Sequence, residues 1–185
     1  MALSALATPL AGVLIVTTTP HEDARGSLAR LFCDRELADV MRGRRIVQVN
    51  HSRTHARGAI RGLHFQKAPH AETKLVRCLK GRVWDVAADL RTGSPTFLQW
   101  HATELGAGDW RMFVIPEGCA HGFQVLEPDS ELLYLHTAAY APEAEAGVRY
   151  DDPRIGIRWP LPPADISSRD RSHPLLDAAF AGLPP

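Results

Sequence analysis

Along most of this chain apolar and polar positions alternate with a period of two, in short runs separated by Gly, Pro, Asp and Asn. That period belongs to strands with one buried face. Val13–Thr19, rich in Val, Ile and Thr, predicts a first strand. Leu28–Phe32 predicts another beyond the polar loop His21–Ser27. Asp34–Met41 (DRELADVM) breaks the pattern, because apolar residues at helical spacing behind Asp34, a good N-cap, predict a short helix. Strand periodicity returns at Arg45–Asn50, where Ile46, Gln48 and Asn50 share one face. After the polar loop Ser52–Gly58 it continues through Ile60–Gln66, Lys74–Leu79, Val83–Leu90, Thr96–Glu104, Arg111–Ile115, Gly122–Leu126 and Leu132–Ala139. Lys80-Gly81-Arg82 reads as a hairpin connection. Beyond Trp159 prolines accumulate, and Leu175–Ala181 predicts a short helix.

Many short strands with Gly/Pro/Asp turns predict a mainly β protein, a jelly-roll sandwich with short N- and C-terminal helices, rather than βαβ units. No repeat or linker divides the 185 residues, so one domain over 1–185 is expected. Twenty-one basic residues balance twenty-one acidic ones, and no net field recruits nucleic acid or an anionic membrane. The apolar N-terminus (LATPLAGVLIV) lacks a basic flank and is too short to span a bilayer. Cys33, Cys78 and Cys119 show neither CxxC spacing nor an even count, which suits a reducing compartment. A cytoplasmic protein is expected.

Gly58–Gln66 (GAIRGLHFQ) carries the strongest chemical signal. Arg61 and His64 stand on a run otherwise apolar enough to be buried, where a cation and an imidazole are costly without partners. Strict alternation sets them on opposite faces unless Gly62 forms a bulge. Taken alone, His64 reads as a core histidine satisfied by a hydrogen bond. Jelly rolls that hold metals use a His-x-His pair and a later His. Here His64 is followed by Gln66, with His121 as the later residue, and that donor set is too poor for a transition metal. Gln48 with Asn50, Tyr134 with His136, and Lys74 are each unremarkable alone, but a core rarely collects so many polar groups facing one way.

GAIRGLHFQ, KLVRCLKGRVWDVAADLRTGSPTF, FVIPEGCAHGF and YAPEAEAGVRYDDPRIGIRWP resemble the dTDP-4-dehydrorhamnose 3,5-epimerase family, in order from about Pro9 to Pro174. The resemblance implies a cupin-like dimer without a catalytic metal or other cofactor, acting on nucleotide-linked 4-keto-6-deoxy hexoses. It assigns His64 as base, Tyr134 as the opposing acid, Lys74 as the enolate-stabilising cation and Asp170 as the carboxylate orienting the base. It also implies substrate contacts at Gln48, Asn50, Arg61, His121, Glu145 and Arg169, a nucleobase stacked on Tyr140, and Arg25 reaching a phosphate in the partner subunit of a homodimer. The substrate implied is dTDP-linked. Two positions depart from the pattern. Arg30 stands where the family has a glutamate touching the base, exchanging an acceptor for a donor and opening the site to another nucleobase. Arg169 replaces a lysine and keeps its charge. The alternatives are a 3,4-ketoisomerase on the same scaffold, a nucleotide-sugar-binding module without turnover, and a metal-dependent cupin oxygenase.

Overall fold

A computed structural model describes residues 2–184, and in it almost every regular element is a strand. The strands are β1 Leu3–Ala7, β2 Leu14–Thr18, β3 His21–Asp23, β4 Gly26–Leu28, β5 Gln48–Thr54, β6 Ile60–Gln66 and β7 Lys74–Lys80. They continue as β8 Arg82–Asp89, β9 Trp100–Gly106, β10 Arg111–Ile115, β11 Cys119–Val125, β12 Ser130–His136 and β13 Glu145–Gly147, with short helices α1 Ala38–Met41 and α2 Ser168–Ser172. Two antiparallel sheets carry the structure, a six-stranded one in the order β1-β2-β10-β7-β12-β5 and a five-stranded one in the order β13-β6-β11-β8-β9. The β3–β4 hairpin stands apart.

Alternation explains the layers. On β7, Val76 and Cys78 enter the central core with Val83, Ala87, Phe113, Phe123 and Leu132, while Leu75 faces the other way. Leu75 joins Val16, Met112, Leu37 and Met41 in a second cluster beneath α1. A third cluster on the other sheet joins Leu63, Phe65 and Ala88 to Val148 and Ile155, and the proline-rich tail packs on it through Leu176, Phe180 and Leu183. Each fully buried large side chain, such as Phe113, contributes roughly 2–3 kcal/mol by leaving water.

Several expected boundaries move for identifiable reasons. Contrary to the hairpin predicted at Lys80-Gly81-Arg82, β7 and β8 lie in different sheets, so this corner carries the chain from one layer to the other. Gly81 is at φ 74, and a Cβ there would meet Ser130 Oγ at 2.4 Å. The helix predicted at Leu175–Ala181 is absent. Arg154 donates to the carbonyls of Asp177 and Phe180, and Leu176 N–H donates to Asp152, so that segment is held by tertiary bonds. A helix forms instead at Ser168–Ser172, where the Ser167 side chain caps Asp170 N–H. Helix α1 shrinks to four residues without a capping side chain, so Asp34 caps nothing. The strand expected at Leu28–Phe32 gives way to the β3–β4 hairpin, while β5 runs on to Thr54 because β12 pairs with it that far. Strand β1 was not foreseen. It pairs along its whole length with β2 at the sheet edge.

Candidate active site

One end of the sandwich opens into a cavity of about 500 Å³ walled by both sheets. Nine predicted site residues line it: Gln48 and Asn50 on β5, Arg61 and His64 on β6, Lys74 on β7, His121 on β11, Tyr134 on β12, Tyr140 in the following loop and Glu145 on β13. Asp170 is buried behind His64, and Arg169 pairs with Glu145 at the rim. Arg25 and Arg30 lie elsewhere within the single chain. Arg25 pairs with Asp23 at the exposed β3–β4 tip, and Arg30 pairs with Glu36, whose other oxygen accepts Leu3 N–H.

The bulge anticipated at Gly62 is present and decides the site. His121 on β11 lies opposite His64, but Phe123, two residues on, lies opposite Arg61, three residues back. The extra residue on β6 rotates the strand so that Arg61 and His64 face the same cavity. Only glycine fits, since Gly62 is at φ 127 and an added Cβ would sit 2.5 Å from Gly122 Cα.

His64 is a partly exposed imidazole with a buried partner. Its Nε2 lies 2.8 Å from Asp170 Oδ1, while Asp170 Oδ2 accepts the Gly62 N–H at 3.1 Å. Burial would raise the Asp170 carboxyl, but the hydrogen bonds from His64 and Gly62 outweigh it and hold it down at about 2. An ionised Asp170 only accepts, so Nε2 carries the His64 proton and Nδ1 keeps the lone pair. His173 stands edge-on to His64, with ring centroids 5.5 Å apart and Nε2 3.8 Å from Asp170 Oδ1. Burial and the neighbouring His64 lower its affinity for a proton.

Across the cavity, Tyr134 packs edge-on to His121 and parallel to His136, with centroids 5.8 and 5.9 Å away. Burial raises the Tyr134 phenol well above its ordinary value, and the Asp85 charge adds to this, so the hydroxyl holds its proton. Asp85 is fully buried and bonds His121 Nε2 at 2.6 Å. Lys74 donates to the His64 carbonyl at 3.2 Å and pairs with Glu72 at 3.0 Å, and Glu72 also accepts from His136 Nδ1 at 2.8 Å. At the wider end, Glu145 links the Tyr140 hydroxyl to Arg169, and Gln48 Oε1 accepts Tyr140 N–H at 2.9 Å. Three imidazoles thus meet three carboxylates around one cavity. Of these carboxylates only Asp170 was foreseen. Glu72 and Asp85, with His136 and His173 in their present roles, depend on strand register and on the fold of the tail.

Two of the donors considered for a metal are bonded within the protein. Gln66 spends its amide on His70, Ala139 and Ala141, and His121 is held by Asp85. Among the described residues, the group with metal-ligating spacing is instead His64, Asp170 and His173, whose ligand atoms lie within 4.8 Å of one another.

Comparison with known proteins places the chain in a family. The profile of the dTDP-4-dehydrorhamnose 3,5-epimerase family matches residues 7–178. The chain is 41% identical to the dTDP-4-dehydrorhamnose 3,5-epimerase of Salmonella typhimurium, over 94% of this chain and 95% of that one. The dTDP-6-deoxy-D-glucose-3,5-epimerase of Legionella pneumophila, solved with dTDP-4-keto-L-rhamnose, superposes with a TM-score of 0.90 at 37% identity, covering 98% of this chain and 97% of that one. A 3'-monoepimerase of Streptomyces bikiniensis, solved with dTDP as a double mutant, superposes with a TM-score of 0.84 at 31% identity, covering 91% and 85%. Its two exchanges, His to Asn and Tyr to Phe, are as far apart in sequence as His64 and Tyr134 are here.

Proposed function

Because the chain belongs to the dTDP-4-dehydrorhamnose 3,5-epimerase family, we propose that its cavity inverts carbon centres beside a ketone, with His64 as the base that starts the reaction. The chain is an epimerase of dTDP-linked 4-keto-6-deoxy sugars, acting at C3, C5 or both in deoxysugar biosynthesis. The observation that carries the assignment of His64 is its bond to an ionised, buried Asp170, which leaves a basic nitrogen on a ring lining the cavity.

The 4-keto group acidifies the hydrogens on C3 and C5. His64 Nδ1 takes one of them, the C–H electrons form a carbon–carbon double bond, and the carbonyl π electrons move onto oxygen. Lys74 stabilises that enolate oxygen, and Asp170 stabilises the imidazolium formed. Tyr134, kept protonated by burial, delivers its proton to the opposite face of the carbon. Proton exchange with water then restores the phenol and the imidazole. No metal or other cofactor is required, since Lys74 supplies the charge. The separation shared with the paired exchanges of the Streptomyces relative supports His64 and Tyr134 as partners.

At the wider end, Tyr140 stacks on the base, and Arg61, Arg169, His121, Gln48, Asn50 and Glu145 hold the diphosphate and sugar. The nucleobase is thymine, and Arg30, bound to Glu36, does not read it within this chain. A homodimer brings Arg25 to the partner's phosphates. Support for this comes from the exposed Arg25 side chain, from the solvent-facing Leu28 on the same hairpin, and from the solvent-facing Val47 and Val49 at the β5 edge of the six-stranded sheet. Among the described residues no helix is long and apolar enough to cross a membrane, and the three free cysteines suit the reducing cytoplasm in which this family's chemistry is placed.

Incubation with dTDP-4-keto-6-deoxy-D-glucose in heavy water tests the function. Deuterium at C3, C5 or both, with inverted products, is expected. Retained protons at both carbons, or a carbonyl moved to C3, would refute it, the second outcome marking a ketoisomerase.

A further inference from the structure

A continuous chain of hydrogen bonds runs along one wall of the cavity, with donors converging on Glu72 from both sides. Tyr140 N–H donates to Gln48 Oε1 at 2.9 Å, so the Gln48 amide nitrogen is the one that donates to Asn50 Oδ1, at 3.2 Å. That turns the Asn50 amide nitrogen toward His136 Nε2 at 3.4 Å. With Nε2 accepting, the neutral His136 ring holds its proton on Nδ1, which donates to Glu72 Oε2 at 2.8 Å. Glu72 Oε1 then takes the Lys74 ammonium at 3.0 Å, and Lys74 donates onward to the carbonyl of His64. Every link has one donor and one acceptor. The chain begins at the residue proposed to stack on the base and ends at the cation proposed to meet the enolate.

We propose that Glu72 and His136 are positioning residues for Lys74, holding its ammonium charged at the cavity wall and tying it to the nucleotide end of the site. This deepens the epimerase reading and rests on it. The Lys74 side chain is only 10% exposed and that of Glu72 only 7%. An ammonium withdrawn from water to that degree is costly unless an anion faces it. Glu72 is that anion. Burial pushes its carboxyl up, but the His136 hydrogen bond and the Lys74 charge prevail and hold it below the usual range. The groups around Lys74 are Glu72 two residues before it, His136 on β12 and His64 on β6, the last through its carbonyl. Both Glu72 oxygens are occupied by donors, so glutamine cannot replace it without setting its amide nitrogen against Lys74 or the Nδ1–H of His136. His136 in turn keeps the Glu72 carboxylate from swinging away.

The test measures kcat and KM for deuterium exchange between about pH 6 and 9, in the unmodified protein and in Glu72→Gln, His136→Leu and His136→Asn. In Glu72→Gln the loss of kcat should grow with pH, being about tenfold larger at the alkaline end as Lys74 gives up its proton, while KM stays within about threefold. His136→Leu should lower kcat, and His136→Asn, which keeps an N–H near the position of Nδ1, should restore most of it. A Glu72→Gln deficit that is flat across pH overturns the proposal, as does a change confined to KM. So does equal behaviour of the two His136 variants, which keeps the idea open to refutation if Glu72→Gln does not fold. An unmodified protein that exchanges no deuterium overturns the epimerase reading as well, whereas an active parent with a flat Glu72→Gln deficit overturns only the positioning role.

Discussion

Replacing Asp170 by asparagine changes a single atom, and its consequences follow from two distances. The carboxylate accepts from His64 Nε2 at 2.8 Å and from Gly62 N–H at 3.1 Å, one donor on each oxygen. An amide has one acceptor, so it can satisfy only one of these donors. If its oxygen stays with Gly62, its NH2 faces His64 Nε2 and drives the imidazole proton to Nδ1, where it occupies the lone pair needed for proton abstraction. If its oxygen stays with His64, NH2 opposes the buried Gly62 N–H and the imidazolium formed in the reaction loses its counter-charge. Either way kcat should fall by about 10³–10⁴-fold, or about 4–5.5 kcal/mol of barrier, as when other histidine bases lose an orienting carboxylate. The protein should also lose stability. The fall of the Asp170 carboxyl from 3.8 to about 2 corresponds to about 2.5 kcal/mol contributed above roughly pH 4, and Asp170 is only 4% exposed. Deuterium uptake followed by proton NMR reads the first effect, and urea unfolding at neutral pH reads the second. An Asp170→Asn protein within about threefold of parental activity would mean that Asp170 does not set the His64 tautomer.

Three further outcomes are expected. Tyr134→Phe should still exchange hydrogen at the carbon facing His64 but should lose inversion by about 10²–10³-fold, so exchange and epimerisation separate in a single NMR experiment; loss of both together would place Tyr134 in the abstraction step. Gly62→Ala forces a Cβ to within 2.5 Å of Gly122 Cα at φ 127, and should cost at least about 2 kcal/mol in denaturant unfolding, whereas a neutral change would show that the bulge can relax. Asp89, fully buried and held down at about 2 by Arg91, Ser94 and Thr96 against its burial, depresses with Asp170 the pH at which protons are taken up. Because both native values lie below the unfolded one, their stabilisation is complete above about pH 4 and should drain away between about pH 4 and 2, and a unfolding free energy flat across that range would contradict the assignment.

How much was legible in the sequence depended on whether a property was local. Ile60–Gln66 forms the strand that its composition predicts, and the placement of Arg61 beside His64 was readable once Gly62 was taken as a bulge. Period-two patterning gave the sandwich but not the sheet assignment of each strand. The corner at Gly81 has the composition of a hairpin, and only the pairing of β7 with β10 and β12 shows that it changes layers. The tail misled for a related reason, since Leu175, Leu176 and Phe180 have helical spacing while Arg154 and Asp152 take the backbone groups a helix would use. Asp170 was found through the family resemblance, since its position in an ISSRD turn carries no signal of its own. Glu72, Asp85 and His173 were missed because a carboxylate or imidazole at a strand end or in a loop is ordinary until the register sets a partner against it.

The central claim is that His64 removes a proton from a carbon next to a ketone. It is tested most directly by comparing the unmodified protein with His64→Asn, each incubated with dTDP-4-keto-6-deoxy-D-glucose in heavy water and followed by proton NMR. Loss of the C3 proton signal, the C5 signal or both is expected with the unmodified protein, and their persistence with His64→Asn, whose unfolding curve should show a folded protein. Equal rates of signal loss in the two proteins would contradict it.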